Sequence, residues 1–188
     1  MAGAGNVWFV DGVRTPFGRA GEKGMYWGTR ADDLAVKAMV AVLKRNAGIP
    51  LDAYDDVAIA ATTQQGDQGL TLGRTTALLA GLPKSVPGYA IDRMCAGAMT
   101  SVTTIGAAIG FGMYEVAIAG GVEHMGRHPM GFGADPNPRF VAEKLVSEDA
   151  LVMGRTAERI HDRFPTLTKE RSDAYAVGSQ RKLASAPS

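Results

Sequence analysis

The chain predicts an α/β fold built on a largely parallel sheet. Four short segments in its first 121 residues are apolar almost throughout, stretches with helical spacing separate them, and the order is β-α-β-α-β-α-β. Strands that lack polar alternation are covered on both faces, as in parallel sheets with crossover helices. Such crossovers are right-handed, and chemistry in these sheets lies beyond the carboxyl ends of the strands.

Val7-Trp-Phe-Val10 reads as the first strand, bounded by Asp11-Gly12. Thr29 and Asp32 resemble a capping box opening a helix through about Asn46. Val36, Met39, Val40 and Leu43 form its apolar stripe, and Gly48-Ile-Pro50 ends it. Asp56 to Thr62 reads as a strand, and Leu72 to Leu82 as a short helix closed by Pro83. Gly88 to Met94 is the third strand, Gly97 to about Phe111 a helix, and Glu115 to Gly120 the fourth strand. From Gly126 to Arg139, three prolines and three glycines exclude a long regular element. Helices follow over about Met153 to Arg163 and, from a Thr168 cap, Lys169 to Ala184, before a frayed tail at 184–188. The expected division is a domain over 1–121 and an elaborated insertion over 122–188.

Cys95 is the only cysteine in 188 residues. It falls where the third strand turns into a helix, ahead of Ala96-Gly97-Ala98, with Ala98, Val102, Ile105 and Ile109 marking the helical face. The unpaired N–H groups and positive end of a new helix favour thiolate over thiol, which makes a sulfur nucleophile. A lone cysteine is also commonly a small buried hydrophobe. The junction and the small residues after it suit an accessible nucleophile, and both readings stay open on physics alone.

Composition excludes several classes. Residues 1–121 carry ten charges of each sign, and 122–188 carry ten basic and nine acidic residues, without the basic excess of a nucleic-acid binder. Arg127, Arg139 and Arg155 are candidates for meeting phosphates, with solvated charges as the default. One cysteine forms no internal disulfide, and a free thiol fits a reducing cytoplasm. The opening residues carry no basic and apolar leader pattern. No apolar run reaches the ~18–20 residues needed to span a bilayer; the richest, 102–119, is broken by Gly106, Gly110, Gly112 and Glu115. A cytoplasmic protein without a resident metal or cofactor is expected. His124, near the fourth strand's end, could approach the site as a base but reads rather as a partly exposed or structural histidine, while His128 and His161 read as surface residues.

Five motifs in series then resemble the thiolase family, in its N-terminal half. They are Asp11-Gly-Val-Arg14-Thr15-Pro16-Phe-Gly18; Gln64-Gln-Gly-Asp67-Gln-Gly69 with Gly73-Arg74; and Asp92-Arg-Met-Cys95-Ala-Gly-Ala-Met99. Gly120-Gly121-Val-Glu123-His-Met125 is the fourth, and Met153-Gly154-x-Thr156-Ala157-Glu158 with Ser172-Asp173 and Ser179-Gln180 the fifth. Two positions depart from the family pattern: Asp92 stands where it usually has Asn, and Thr100 where it often has Gln.

The resemblance implies half of a layered αβα thiolase fold, with the start of the loop domain that receives coenzyme A in 122–188. It implies that Cys95 attacks a 3-ketoacyl-CoA, releases acetyl-CoA and holds the acyl group until a second coenzyme A removes it. In reverse this is a Claisen condensation. Met153 matches a position lining the acyl pocket. Acyl-CoA substrates, a homodimer or dimer of dimers, and a β-oxidation multienzyme partner are implied likewise. The family takes its base and second acid from a second half, with a Gly-His-Pro histidine and a Cys-x-Gly cysteine, and takes a fifth strand from beyond its loop domain. None of these occurs in the sequence. The chain is therefore expected to be an incomplete form, with a bare apolar sheet edge and no full turnover by itself. A ketoacyl-synthase-type condensing enzyme and a non-catalytic assembly module are the alternatives.

Overall fold

The computed structural model describes residues 5–150 and 152–186. It forms two compact units, one ending at Ala134 and the other starting at Asp135. The expected division fell at 121/122. Residues 122–134 stay with the first unit because His124 and His128 are buried in it.

In the first unit, helix α1 (Ala31–Arg45) precedes strand β1 (Asp56–Ala60), helix α2 (Leu72–Leu79), strand β2 (Tyr89–Ile91), helix α3 (Gly97–Gly110) and strand β3 (Ala117–Gly121). The sheet is parallel, in the order β2-β1-β3, with Ala58 opposite Tyr89 on one side and Ala119 on the other. Every residue of β1 is buried, so its unbroken apolar run marks the central strand. Val57, Ile59 and Ala61 join Met39 and Leu43 of α1 and Leu72 and Ala77 of α2 in the main core. Ala60 turns to the other face, against the start of α3. The layers are thus α1 and α2, the sheet, and α3.

Polar anchors fix the amino ends of β1 and β3. Asp55 Oδ2 accepts from the Glu115 and Val116 amides (2.7 and 3.1 Å). The Tyr114 hydroxyl donates to Asp56 Oδ2 (2.7 Å), and this bond, with burial and the Asp56 charge, pushes the Tyr114 phenol up to about 12.

Two expectations are corrected. Residues 7–10 form no strand; Trp8, Phe9 and Val10 are exposed. An extended segment without a neighbour gains no ladder hydrogen bonds. This one is moored only at its flanks, by the Gly5 amide on the Gly110 carbonyl and by Asp11 on Asn46 and Arg45. Between it and the outer edge of β3 lies a groove of about 370 Å³, lined by Val7, Val10, Met39, Ile105, Val116 and Ile118 among others. Among the described residues nothing pairs with that edge. The capping box is also absent. Arg30, not Thr29, is the N-cap; Asp32 turns back to Arg30 in a two-point ion pair, and Asp67 accepts from the Ala31 amide (3.1 Å).

The second unit holds α4 (Arg139–Ala142), α5 (Met153–Arg163) and α6 (Lys169–Ala184). Both long helices occupy their predicted spans, and Thr168 caps α6 by accepting from the Arg171 amide (3.4 Å). None of its described residues is buried. Residues 187 and 188 of the expected tail lie outside the described set. Among the described residues no helix is long and apolar enough to cross a membrane.

Gly73, in the first turn of α2, shows how closely helix and sheet approach. A Cβ there would lie 2.2 Å from the Tyr89 carbonyl oxygen and 2.3 Å from that of Val57. Neither strand can yield without breaking its pairing. Gly73→Ala is expected to cost about 3 kcal/mol in urea unfolding; an unchanged midpoint would contradict this packing.

Candidate active site

The site begins where β2 ends. Asp92 Oδ1 accepts from the Met94 amide (2.8 Å), and Met94 to Ala96 form a single 3-10 turn leading into α3. Met94 adopts the left-handed conformation (φ 45°), which costs a non-glycine residue about 1–2 kcal/mol. The turn leaves Cys95 exposed, with a free thiol, at the head of a helix that no side chain caps. The Ala96 amide donates to the Arg93 carbonyl (3.0 Å). Within α3, the Thr100 hydroxyl donates to the Ala96 carbonyl (2.9 Å). No side chain therefore competes for the amides at the positive end of α3, whose N-cap Ala96 follows Cys95.

Small residues set α3 onto the strand ends. A Cβ on Gly97 would come within 2.8 Å of Ala60 Cβ, and one on Gly121 within 3.0 Å of Ala98 Cβ. Ala60, Gly97, Ala98 and Gly121 thus bring the Cys95 turn over the carboxyl ends of β1 and β3.

Those ends are tied by two consecutive residues. Gln68, fully buried, donates through Nε2 to the Thr63 carbonyl (2.9 Å) and to Glu123 Oε1 (2.8 Å), and its Oε1 accepts from the His124 amide (2.7 Å). Glu123 Oε2 accepts from the Thr62 amide (2.8 Å). Asp67, also buried, accepts from the Ala31 amide, from Arg127 Nε (3.0 Å) and from His128 Nε2. Burial alone would push the Asp67 carboxyl up; the His128 bond, the Ala31 amide and Arg127 outweigh it and hold the group below the ordinary carboxylate range.

The histidines are all engaged. The His124 ring donates from Nε2 to the Tyr26 carbonyl (2.8 Å), which leaves Nδ1 to accept the Arg127 amide (3.2 Å). It is structural, as the sequence reading has it. His128 corrects the expectation of a surface residue, because the buried Asp67 carboxylate draws it inside. Arg127 is likewise drawn onto Asp67, whereas Arg139 pairs with Glu143. His161, half-buried on α5, bonds to the Leu167 carbonyl. Met153 opens α5 in the second unit, exposed.

The exposed Cys95 thiol at the turn after β2 and the Gly120-Gly121-Val122-Glu123 segment at the end of β3 thus lie at the carboxyl end of one parallel sheet with helices on both faces. The chain belongs to the thiolase family: residues 7–188 match the family model for the thiolase N-terminal domain. It is 37% identical over 177 residues to a 3-ketoacyl-CoA thiolase of Aliivibrio fischeri, across 94% of this chain and 45% of that protein. A 3-ketoacyl-CoA thiolase of Saccharophagus degradans is 38% identical over 181 residues, across 96% and 45%. The crystal structure of an acetyl-CoA acetyltransferase from Bacillus anthracis superposes with a TM-score of 0.65 at 29% identity, covering 84% of this chain and 42% of that one. The chain thus spans a little under half the length of these relatives.

Asp67 gives the arrangement a pH signature. A carboxyl held below its unfolded value, ~3.9, contributes stability that is complete above that value and is lost as pH falls through the folded one. Asp67→Asn is expected to destabilise by about 3 kcal/mol at pH 7. In urea titrations the gap to the parent protein closes below about pH 4; a gap unchanged at pH 3 would contradict the assignment.

Proposed function

We propose that this chain carries the acyl-accepting part of a thiolase that cleaves 3-ketoacyl-CoA, with Cys95 as the nucleophile. The single observation that carries this reading is the exposed thiol at the uncapped head of α3, beyond the carboxyl end of β2. The Cys95 thiolate adds to the keto carbon of the substrate. The bond between carbons two and three then breaks, and its electron pair leaves on the acetyl-CoA fragment, which takes up a proton. The acyl group stays on sulfur as a thioester. A second coenzyme A attacks that carbonyl, the new thioester departs, and Cys95 returns as thiolate. The amides at the start of α3 are suited to steady the oxyanion. Met153 is the position that the thiolase resemblance assigns to the acyl pocket.

Neither His124 nor His128 is free to serve as the base in this reading. Both ring nitrogens of His124 are bound to backbone groups, and His128 is committed to Asp67. Turnover then needs the histidine and second cysteine that the thiolase resemblance places in the other half. The complete enzyme is a cytoplasmic homodimer or dimer of dimers serving β-oxidation, with acyl-CoA and coenzyme A as substrates and no resident cofactor.

Intact-mass analysis after incubation with acetyl-CoA tests this. One acetyl group is expected on the parent chain, mapping to Cys95, and none on Cys95→Ser; ketoacyl-CoA cleavage by the 188 residues alone is expected to be absent. Acetylation elsewhere, or full turnover without the other half, would overturn the reading.

A further inference from the structure

We propose that Asp92 is a positioning and specificity-determining residue: its carboxylate holds the Met94 amide that aims Cys95, and its charge turns away acyl groups carrying a carboxylate beside the reacting carbonyl. The inference rests on Cys95 being the acyl acceptor, and adds which acyl donors it takes.

One carboxylate oxygen has a defined task. Asp92 Oδ1 accepts from the Met94 amide at 2.8 Å, closing a side-chain turn over Arg93. That bond opposes the strain of the left-handed Met94, the residue immediately before Cys95. Without it, Met94 relaxes toward ordinary backbone angles, and Cys95, the next residue, moves with it. A neutral amide oxygen at position 92 would make the same bond. The negative charge is therefore additional to what the turn requires.

That charge is poorly compensated. Asp92 is exposed, and among the described residues no Lys, Arg or His nitrogen pairs with it, Arg93 next door included. Three residues of chain place it at most ~10 Å from Cys95. A second negative charge brought to the sulfur is disfavoured about twofold at that limit, and about threefold at a separation of roughly 6–7 Å, in a water-dominated medium. Acetyl and simple acyl thioesters bring no charge there. A malonyl thioester places its carboxylate one carbon from the reacting carbonyl and meets the repulsion in full.

Alkylation rates read this out cleanly, because Cys95 is the only thiol in the chain. Iodoacetamide and iodoacetate differ in charge, and the ratio of their rate constants cancels the fraction of Cys95 present as thiolate. At low ionic strength, Asp92→Asn is expected to raise the iodoacetate-to-iodoacetamide ratio about two- to threefold, and the rise should vanish in 1 M salt, where the screening length is ~3 Å. Asp92→Ala, which loses charge and turn together, should show the same ratio as Asp92→Asn but react with iodoacetamide about threefold more slowly. In acylation followed by mass, malonyl-CoA should gain on acetyl-CoA by a similar factor in Asp92→Asn. An unchanged alkylation ratio in Asp92→Asn overturns the charge role. Equal iodoacetamide rates in the two variants overturn the positioning role. If the alkylation pattern holds while no acyl donor labels Cys95 in any variant, the acyl-transfer reading fails, and with it the malonyl discrimination.

Discussion

The first unit depends on a clamp of two neighbouring residues in the loop after β1. Gln68 uses its amide as both donor and acceptor, joining Thr63 to Glu123 and His124, while Asp67 gathers the start of α1, Arg127 and His128. Parallel strands leave their carboxyl-end loops without hairpin partners, so the loops must be tied by side chains or stay mobile. Here the ties are buried and form a connected network. Removing one member would leave several buried polar groups unpaired, so the network holds one geometry rather than several.

That geometry is what α3 rests on. The strand ends offer Ala60 and Gly121, and the helix answers with Gly97 and Ala98, so the approach is limited by the Cβ atoms of the two alanines and by backbone. The Cys95 turn, strained at Met94 and held by Asp92, is therefore placed by contacts on both sides. Clamp, close packing and turn form a chain of positioning that ends on one sulfur atom.

Much of this was legible in the sequence. The apolar run from Asp56 gives a strand because every residue of β1 is buried, and the Ala98, Val102, Ile105 and Ile109 spacing gives α3. Cys95 could be placed at the turn because the pattern changes period there. Val7 to Val10 misled for a physical reason: a run can be as apolar as β1 and still not be a strand without a neighbour to pair with. The role of Asp67 was hidden because a buried charge looks like a surface charge in sequence; only its partners Arg127 and His128, some sixty residues on, reveal it. Gln68 was hidden because a buried amide looks like an exposed one in sequence, although both lie in a motif that the thiolase resemblance marks.

Hydrogen exchange at two amides tests the clamp most directly. The Thr62 and His124 amides donate to Glu123 and to Gln68, not to the sheet ladder. They should be protected in the parent protein and exchange at least about tenfold faster in Gln68→Ala, as loss of about 1.4 kcal/mol or more requires. Fast exchange of both amides in the parent, or equal protection in the variant, would show that something other than Gln68 holds the strand ends together.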